Sequence, residues 1–267
     1  MAAMGYHAGL GLALSLAAIP VALLAQDDSI DASQGGPNVL VIVPHPDDEI
    51  VIAHAISRLA RTGGTVKLVF ATSGDAGPGV SGMERGADLA DLREREARCA
   101  AFSLGLEDPE FWQIGDGTLG VEARMPDSAA NRALTRIETL IDTESPNVIM
   151  TWGPDGGYGH SDHRMLSALI TEAVQKRETG RPDLIYAAIP TIQGPIPPQF
   201  EAWATTASDL ITDRIAYEEQ DLEAARGALD CYESQFDDAT RGSLIDFLHA
   251  VVWKGQIHFR MALPSVG

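Results

Sequence analysis

Short apolar runs alternate with longer amphipathic stretches along most of this chain. Val39 to Val43 is an unbroken apolar run rich in β-branched residues, the pattern of a strand buried on both faces. Pro44 and Pro46 follow, and a proline pair stops ladder pairing and fixes a loop. Ile52, Ala55, Ile56 and Leu59 then recur at helical spacing and predict a helix over 50–61, closed by Gly63-Gly64. Residues 66–71 form the next apolar run. A strand, a helix and a strand with short joints predict a right-handed parallel βαβ unit.

The alternation continues beyond that unit. It predicts helices over 83–104, 129–143, 164–174, 218–232 and 244–252, and strands over 111–114, 148–152 and 184–189. The expected fold class is α/β: a Rossmann-like, mostly parallel sheet with helices on both faces, in a single domain. The glycine-rich stretch 72–79 lacks the GxxxxGK[ST] lysine and the GxGxxG spacing, so it reads as a rim loop and not as a phosphate cradle.

The first 25 residues carry no Asp, Glu, Lys or Arg, and the apolar run from Leu10 to Ala25 halts at Gln26-Asp27-Asp28. That length suits the core of a signal peptide better than a membrane span. The expected organisation is a signal peptide over 1–25, a flexible leader over 26–37 and one domain over 38–267. The protein is then exported to a periplasmic or extracellular space, with no stable membrane insertion after cleavage. An uncleaved anchor is the competing reading of the same run. The 267 residues carry a formal net charge of -19, which argues against nucleic acid and anionic membrane surfaces as partners. Cys99 and Cys231 form no CxxC pair, and their spacing fits a disulfide or two buried thiols equally.

Two clusters carry the chemistry. His45, Asp47, Asp48 and Glu49 follow the first strand, and His160, Asp162 and His163 follow the strand at 148–152. In an open parallel sheet the carboxyl ends of the strands share one edge, where ligands bind. Two imidazoles and a carboxylate make a divalent-metal site that leaves positions open. A spare carboxylate can take a proton from an activated water, and a spare imidazole can serve the substrate carbonyl and the leaving group. These parts suit metal-assisted hydrolysis of an amide or ester. The pattern does not say which Asp or which His takes which part.

The stretch Pro44-His45-Pro46-Asp47-Asp48-Glu49, with Gly159-His160-Ser161-Asp162-His163 downstream, resembles the LmbE-like (PIG-L) family of zinc-dependent N-deacetylases. Weaker matches lie at Arg93 to Glu96, at Gly115-Asp116-Gly117 and at Ala228 to Gln235, where Tyr232 stands at an expected family histidine. The resemblance implies Zn2+, with Fe2+ as the alternative, held by His45, Asp48 and His163. It implies Asp47 as general base and His160 as the group stabilising the oxyanion and assisting the leaving amine. Asp162 would orient a histidine from behind, and Arg93 and Asp116 would hold sugar hydroxyls. The implied reaction removes an acetyl group from an N-acetylated amino sugar or glycoconjugate, so the partner is a small-molecule or glycan substrate. The sequence leaves the oligomeric state open.

Two other functions compete: a non-haem iron oxygenase, which uses a similar ligand triad, and a metal-stabilised sugar-binding module without turnover. Plainer roles compete at single positions. Asp48 could cap the following helix, Arg93 could form a surface ion pair, and Asp116 could be a turn residue. His54, His249 and His258 read as structural or exposed, and the four tryptophans as core. The proline-rich segment 191–201 is the expected seat of specificity.

Overall fold

The computed structural model describes residues 36–193 and 196–264. The expected signal peptide, and all of the leader except Gly36 and Pro37, lie outside the described residues. Those two leader residues are tied to the body, because the Gly36 amide donates to the Gly63 carbonyl and the Pro37 carbonyl accepts from Thr65.

The chain alternates as the apolar pattern predicts. Strand β1 (Asn38–Val43) leads through a short 3-10 turn (Asp48–Ile52) into α1 (Ala53–Arg61) and β2 (Thr65–Phe70). Then come α2 (Ala87–Ser103), β3 (Glu110–Phe111), α3 (Ala129–Glu144), β4 (Val148–Thr151), α4 (Ser161–Gln175) and β5 (Asp183–Ala187). The described part ends with β6 (Asp213–Ala216), α5 (Glu219–Asp230), α6 (Asp238–Arg241), α7 (Leu244–Phe247), a π-helical turn (Leu248–Trp253) and β7 (Gln256–Met261).

These strands form one seven-stranded sheet in the order β3-β2-β1-β4-β5-β7-β6. Strands β1 to β5 pair in parallel, and β7 joins β5 and β6 antiparallel. Strand β1 lies between β2 and β4, so the winding of the sheet reverses beside it. The period-two alternation of β1 separates its two faces. Val39, Val41 and Val43 pack with α1, α2 and α5, through residues such as Ile56, Ala97 and Leu229. Leu40 and Ile42 pack with α3 and α4, through Ile137, Ile141, Leu166 and Ile170. Helices therefore cover both faces, as expected.

Several boundaries differ from the sequence reading. The helix expected from 83 starts at Ala87, because Gly86 adopts a φ of 131° that a helix cannot continue through. The helix expected from 164 starts three residues earlier, at Ser161, with His160 as its cap. The strand expected over 111–114 is only Glu110–Phe111, and the stretch 244–252 divides into α7 and the π-helical turn. Strands β6 and β7 had not been expected. In β7 only Ile257 and Phe259 of the alternating positions are fully buried, too short a signal to stand out before its partners are known.

Cys99 on α2 and Cys231 at the end of α5 form a disulfide, with Cα atoms 5.8 Å apart. The two helices pack side by side beneath the same face of the sheet, which resolves the alternative left open by the spacing. Among the described residues no helix is long and apolar enough to cross a membrane.

Candidate active site

The sheet order explains why the two clusters meet. The loop 44–47 leaves β1 and the loop 152–160 leaves β4, and these strands are hydrogen-bonded neighbours. Both loops emerge at the carboxyl edge beside the point where the winding reverses, the usual ligand position in such sheets.

The first loop is held in an unfavourable shape. Asp47 has φ 103° and ψ -19°, a left-handed conformation that non-glycine residues adopt at a cost of about 1–3 kcal/mol. Four contacts hold it there. The Asp48 amide donates to the His45 carbonyl, and the Ile50 amide donates to the Asp47 carbonyl. The Asp47 amide donates to Glu49 Oε2, and Arg93 Nη2 donates to the Pro46 carbonyl. The second loop ends in α4. His160 caps that helix, its Nδ1 accepting from the Asp162 amide, which places Asp162 and His163 in the first turn facing inward.

Asp48 lies between two imidazoles. Its Oδ2 is 3.1 Å from His45 Nδ1, and its Oδ1 is 3.0 Å from His163 Nε2. Burial alone would raise this carboxyl, but His163 and His45 hold it well below the usual carboxylate range. One donor atom from each of His45, His160 and His163 falls within 4.8 Å of the others, and so do donors from His45, Asp116 and Asp162. His45 Nε2 is 3.0 Å from Asp116 Oδ1 and 3.5 Å from Asp162 Oδ2. Burial would lower the His45 pKa, but the carboxylates of Asp116, Asp162 and Asp48 raise it well above the ordinary value.

This donor set fits a divalent cation. His163 Nδ1 and Asp162 Oδ1 are buried without a hydrogen-bond partner, and His45 Nε2 and His163 Nε2 face only carboxylate oxygens. Buried polar atoms left unpaired are costly. Separations near 3 Å between Asp48 and the two imidazoles are what neighbouring ligands have around an ion with bonds of about 2 Å.

Asp47 faces outward beside this cluster, with its side chain 20% exposed and 3.2 Å from Arg93 Nη2. Its enclosed position pushes its pKa up to about 6, against the pull of the Arg93 guanidinium. Burial lowers the His160 pKa, and the neighbouring His45 and His163 lower it further.

Arg93 and Asp116 were expected among the substrate contacts. Arg93 is buried, and its Nη1 donates to the carbonyls of Gly74 and Gly77 while its Nη2 reaches Pro46 and Asp47. Gly74, at φ 66°, lies so close that an added Cβ would come within 2.2 Å of Nη1. Asp116 accepts from the Ala76 amide while its other oxygen faces His45. Asp162 accepts from the Gly117 amide at 2.8 Å.

Sequence reasoning assigned no role in the site to three of its neighbours. Tyr158 stands over the histidines, its ring 5.1 Å from that of His163. Trp152 stacks on His163 at 5.4 Å. Glu49 is fully buried and accepts from the Tyr232 hydroxyl at 2.6 Å. The glycine-flanked Tyr158 carried a usable signal, because an aromatic residue in a loop at a strand end is a candidate wall of a site.

Fold and site together define an α/β protein with a candidate metal centre at the carboxyl edge of a parallel sheet. The family model described as GlcNAc-PI de-N-acetylase (PIG-L) matches residues 40–174, and the chain belongs to this family. It is 28% identical over 167 residues to a 1D-myo-inositol 2-acetamido-2-deoxy-alpha-D-glucopyranoside deacetylase of Mycobacterium sp. (strain KMS), covering 57% of this chain and 54% of that one. The chain thus spans about half the length of that relative. Among solved structures it is similar to the N,N'-diacetylchitobiose deacetylase of Pyrococcus horikoshii, with TM-score 0.61, 20% identity, and 84% of this chain and 83% of that one covered. It is also similar to a 4-carboxy-2-hydroxymuconate hydratase of Pseudomonas putida, with TM-score 0.60, 18% identity, and 86% and 98% covered. One fold therefore carries different chemistries, and the reaction has to be read from the site.

Proposed function

We propose that this protein is a zinc-dependent hydrolase that removes the acetyl group from an N-acetylated amino sugar or glycoconjugate. The observation that carries the proposal is the meeting of His45, Asp48 and His163 in one buried cluster, with Asp47 beside it and His160 across it. Family membership and the deacetylase relatives support the same reading.

His45, Asp48 and His163 would hold the ion. When bound, it supplies a Lewis acid that polarises the amide carbonyl and acidifies a water. Asp47 takes the proton of the attacking water, and a pKa of about 6 leaves it mostly ionised near neutral pH. Arg93 positions Asp47 by fixing the loop on both of its sides. His160 accepts at Nδ1, so the proton of its neutral ring sits on Nε2. That N–H stabilises the developing oxyanion and then hydrogen-bonds the leaving nitrogen, which takes the proton that Asp47 removed from the water. Asp162 and Asp116 orient His45 from behind, as supporting carboxylates commonly do for ligating histidines.

Export is part of this proposal. The apolar segment 10–25 supports it, and so does the Cys99–Cys231 disulfide, which persists in oxidising compartments.

The test is acetate release from N-acetylglucosamine, chitooligosaccharides and peptidoglycan fragments, with metal content measured on the same sample. Acetate appearing in step with bound metal supports the proposal. A metal-loaded protein that releases acetate from none of them overturns it.

A further inference from the structure

A groove of about 1000 Å³ opens onto the site, with Asp47 and Asp48 in its lining. That is the upper end of the range for small-molecule pockets. An acetyl methyl group is roughly the size of one water, about 30 Å³, and needs no such space.

The wall is a continuous aromatic run that starts at the site. Trp152 stacks on His163 at 5.4 Å and meets Trp203 at 6.3 Å. Trp203 meets Phe200 at 5.0 Å, and Phe200 stacks on Phe247 at 4.5 Å. Ile50 and Val51 also line the groove. Beyond the two site carboxylates, its polar side chains are few: Tyr158, Asp237, Thr240 and Ser243. An oligosaccharide would leave most of its hydroxyls there without partners, at a cost for each.

The direction of the groove chooses which end of the substrate it holds. A scissile amide has two ends, and His160 serves the nitrogen end. Neither His160 nor Asp116 lines the groove, whereas Asp47 and Trp152 do. With the amine and its sugar on the His160 side, the carbon chain of the acyl group would point into the aromatic run.

We infer that the preferred substrates carry a long apolar acyl chain on the sugar nitrogen, and that the enzyme is an N-deacylase for fatty amides. This rests on the amide-hydrolase part of the reading above and extends its acyl group from acetyl to longer chains. Water oxygen bonds to the carbonyl carbon, the C–N bond breaks, and the nitrogen takes a proton. The products are a fatty carboxylate and a free amino sugar. Phe200 comes from the segment 191–201 in which specificity had been expected, Trp203 lies two residues beyond it, and the two supply the middle of the wall.

The experiment measures free amine released by the metal-loaded protein from N-acetyl-, N-octanoyl- and N-decanoylglucosamine below their micelle concentrations. N-acetylglucosamine octyl glycoside and N,N'-diacetylchitobiose serve as comparison substrates. We expect kcat/KM for the decanoyl amide to exceed that for the acetyl amide by about 30-fold or more, from the added apolar burial. F247D should collapse that ratio. S243W, at an exposed position on the lining, should shift the preferred chain length downward if F247D fails to fold. Acetyl turnover with no gain from chain length overturns the inference and leaves the deacetylase reading standing. A gain confined to the octyl glycoside or to N,N'-diacetylchitobiose also overturns it, by placing the leaving group in the groove. No amine from any substrate, with metal bound, overturns both.

Discussion

The hydroxyl of Tyr232 donates to Glu49 Oε1 at 2.6 Å, joining two residues 183 positions apart beneath the candidate metal cluster. Tyr232 is fully buried, and Glu49 accepts from the Asp47 amide through its other oxygen. This bond anchors the end of α5 to the loop that carries His45, Asp47 and Asp48. Burial pushes the Glu49 carboxyl up to about 8, against the pull of that hydrogen bond. In Tyr232→Phe, Glu49 Oε1 is left buried and unpaired. We expect a loss of about 1–3 kcal/mol in denaturant titration. An unchanged midpoint would show that the bond does not hold the loop.

Asp47 combines a strained backbone with a desolvated carboxyl, so its replacement should separate activity from stability. Asparagine tolerates the left-handed conformation about as well as aspartate does. Asp47→Asn should lower kcat/KM by about 10²–10⁴-fold. It should also keep the metal and unfold at the same temperature or higher. Retained turnover would remove Asp47 as the base.

His163 is completely buried, its Nδ1 has no hydrogen-bond partner, and its Nε2 faces the Asp48 carboxylate. If its role is ligation, His163→Ala should purify without a stoichiometric divalent ion and without activity. Elemental analysis of the folded variant decides this. A full complement of metal in His163→Ala would require a different ligand set.

Cys99 and Cys231 are 132 residues apart in sequence, and their bond closes a long loop between α2 and α5. Replacing both by alanine should reduce unfolding free energy by about 2–4 kcal/mol, chiefly by freeing the unfolded chain. The check is a pair of denaturant curves, wild type without reductant against the double variant. Coincident curves would mean that the bond contributes nothing measurable.

His54 is fully buried against Tyr217, and neither of its ring nitrogens has a partner. Burial, helped by His249, pushes its pKa down from 6.5 to about 3. Between those values the unfolded chain binds a proton that the folded protein excludes, so stability rises with pH across this window and falls on acidification. The contribution is complete above pH 6.5 and declines by about 1.4 kcal/mol per pH unit below it, until the folded pKa is reached. His54→Leu should flatten that part of the stability curve between pH 6 and 4. An unaltered slope in the variant would assign the acid sensitivity to other groups.

The sequence was informative about whatever has a local period or a local composition. Val39 to Val43 marks the central strand because burial on both faces leaves no polar position in it. His45 to Glu49 and His160 to His163 mark the site because such groups rarely crowd at a strand end without a ligand to hold. The boundaries at Ala87 and Ser161 were harder to read, because each depends on one residue's backbone geometry: a positive φ at Gly86, and a cap made by the His160 side chain.

By itself, then, the sequence determined the strand–helix alternation and the inventory of side chains able to ligate a metal or carry a proton. Only the tertiary structure decided that β4 lies beside β1, that Arg93 clamps the loop of Asp47, that Tyr232 reaches Glu49, and that five aromatic rings line up from His163 to Phe247. The reason is physical. Periodicity records which face of an element is buried, but not what is buried against it. Contacts between distant segments arise from sheet order and helix packing, and these minimise the free energy of the whole chain rather than of any short stretch of it.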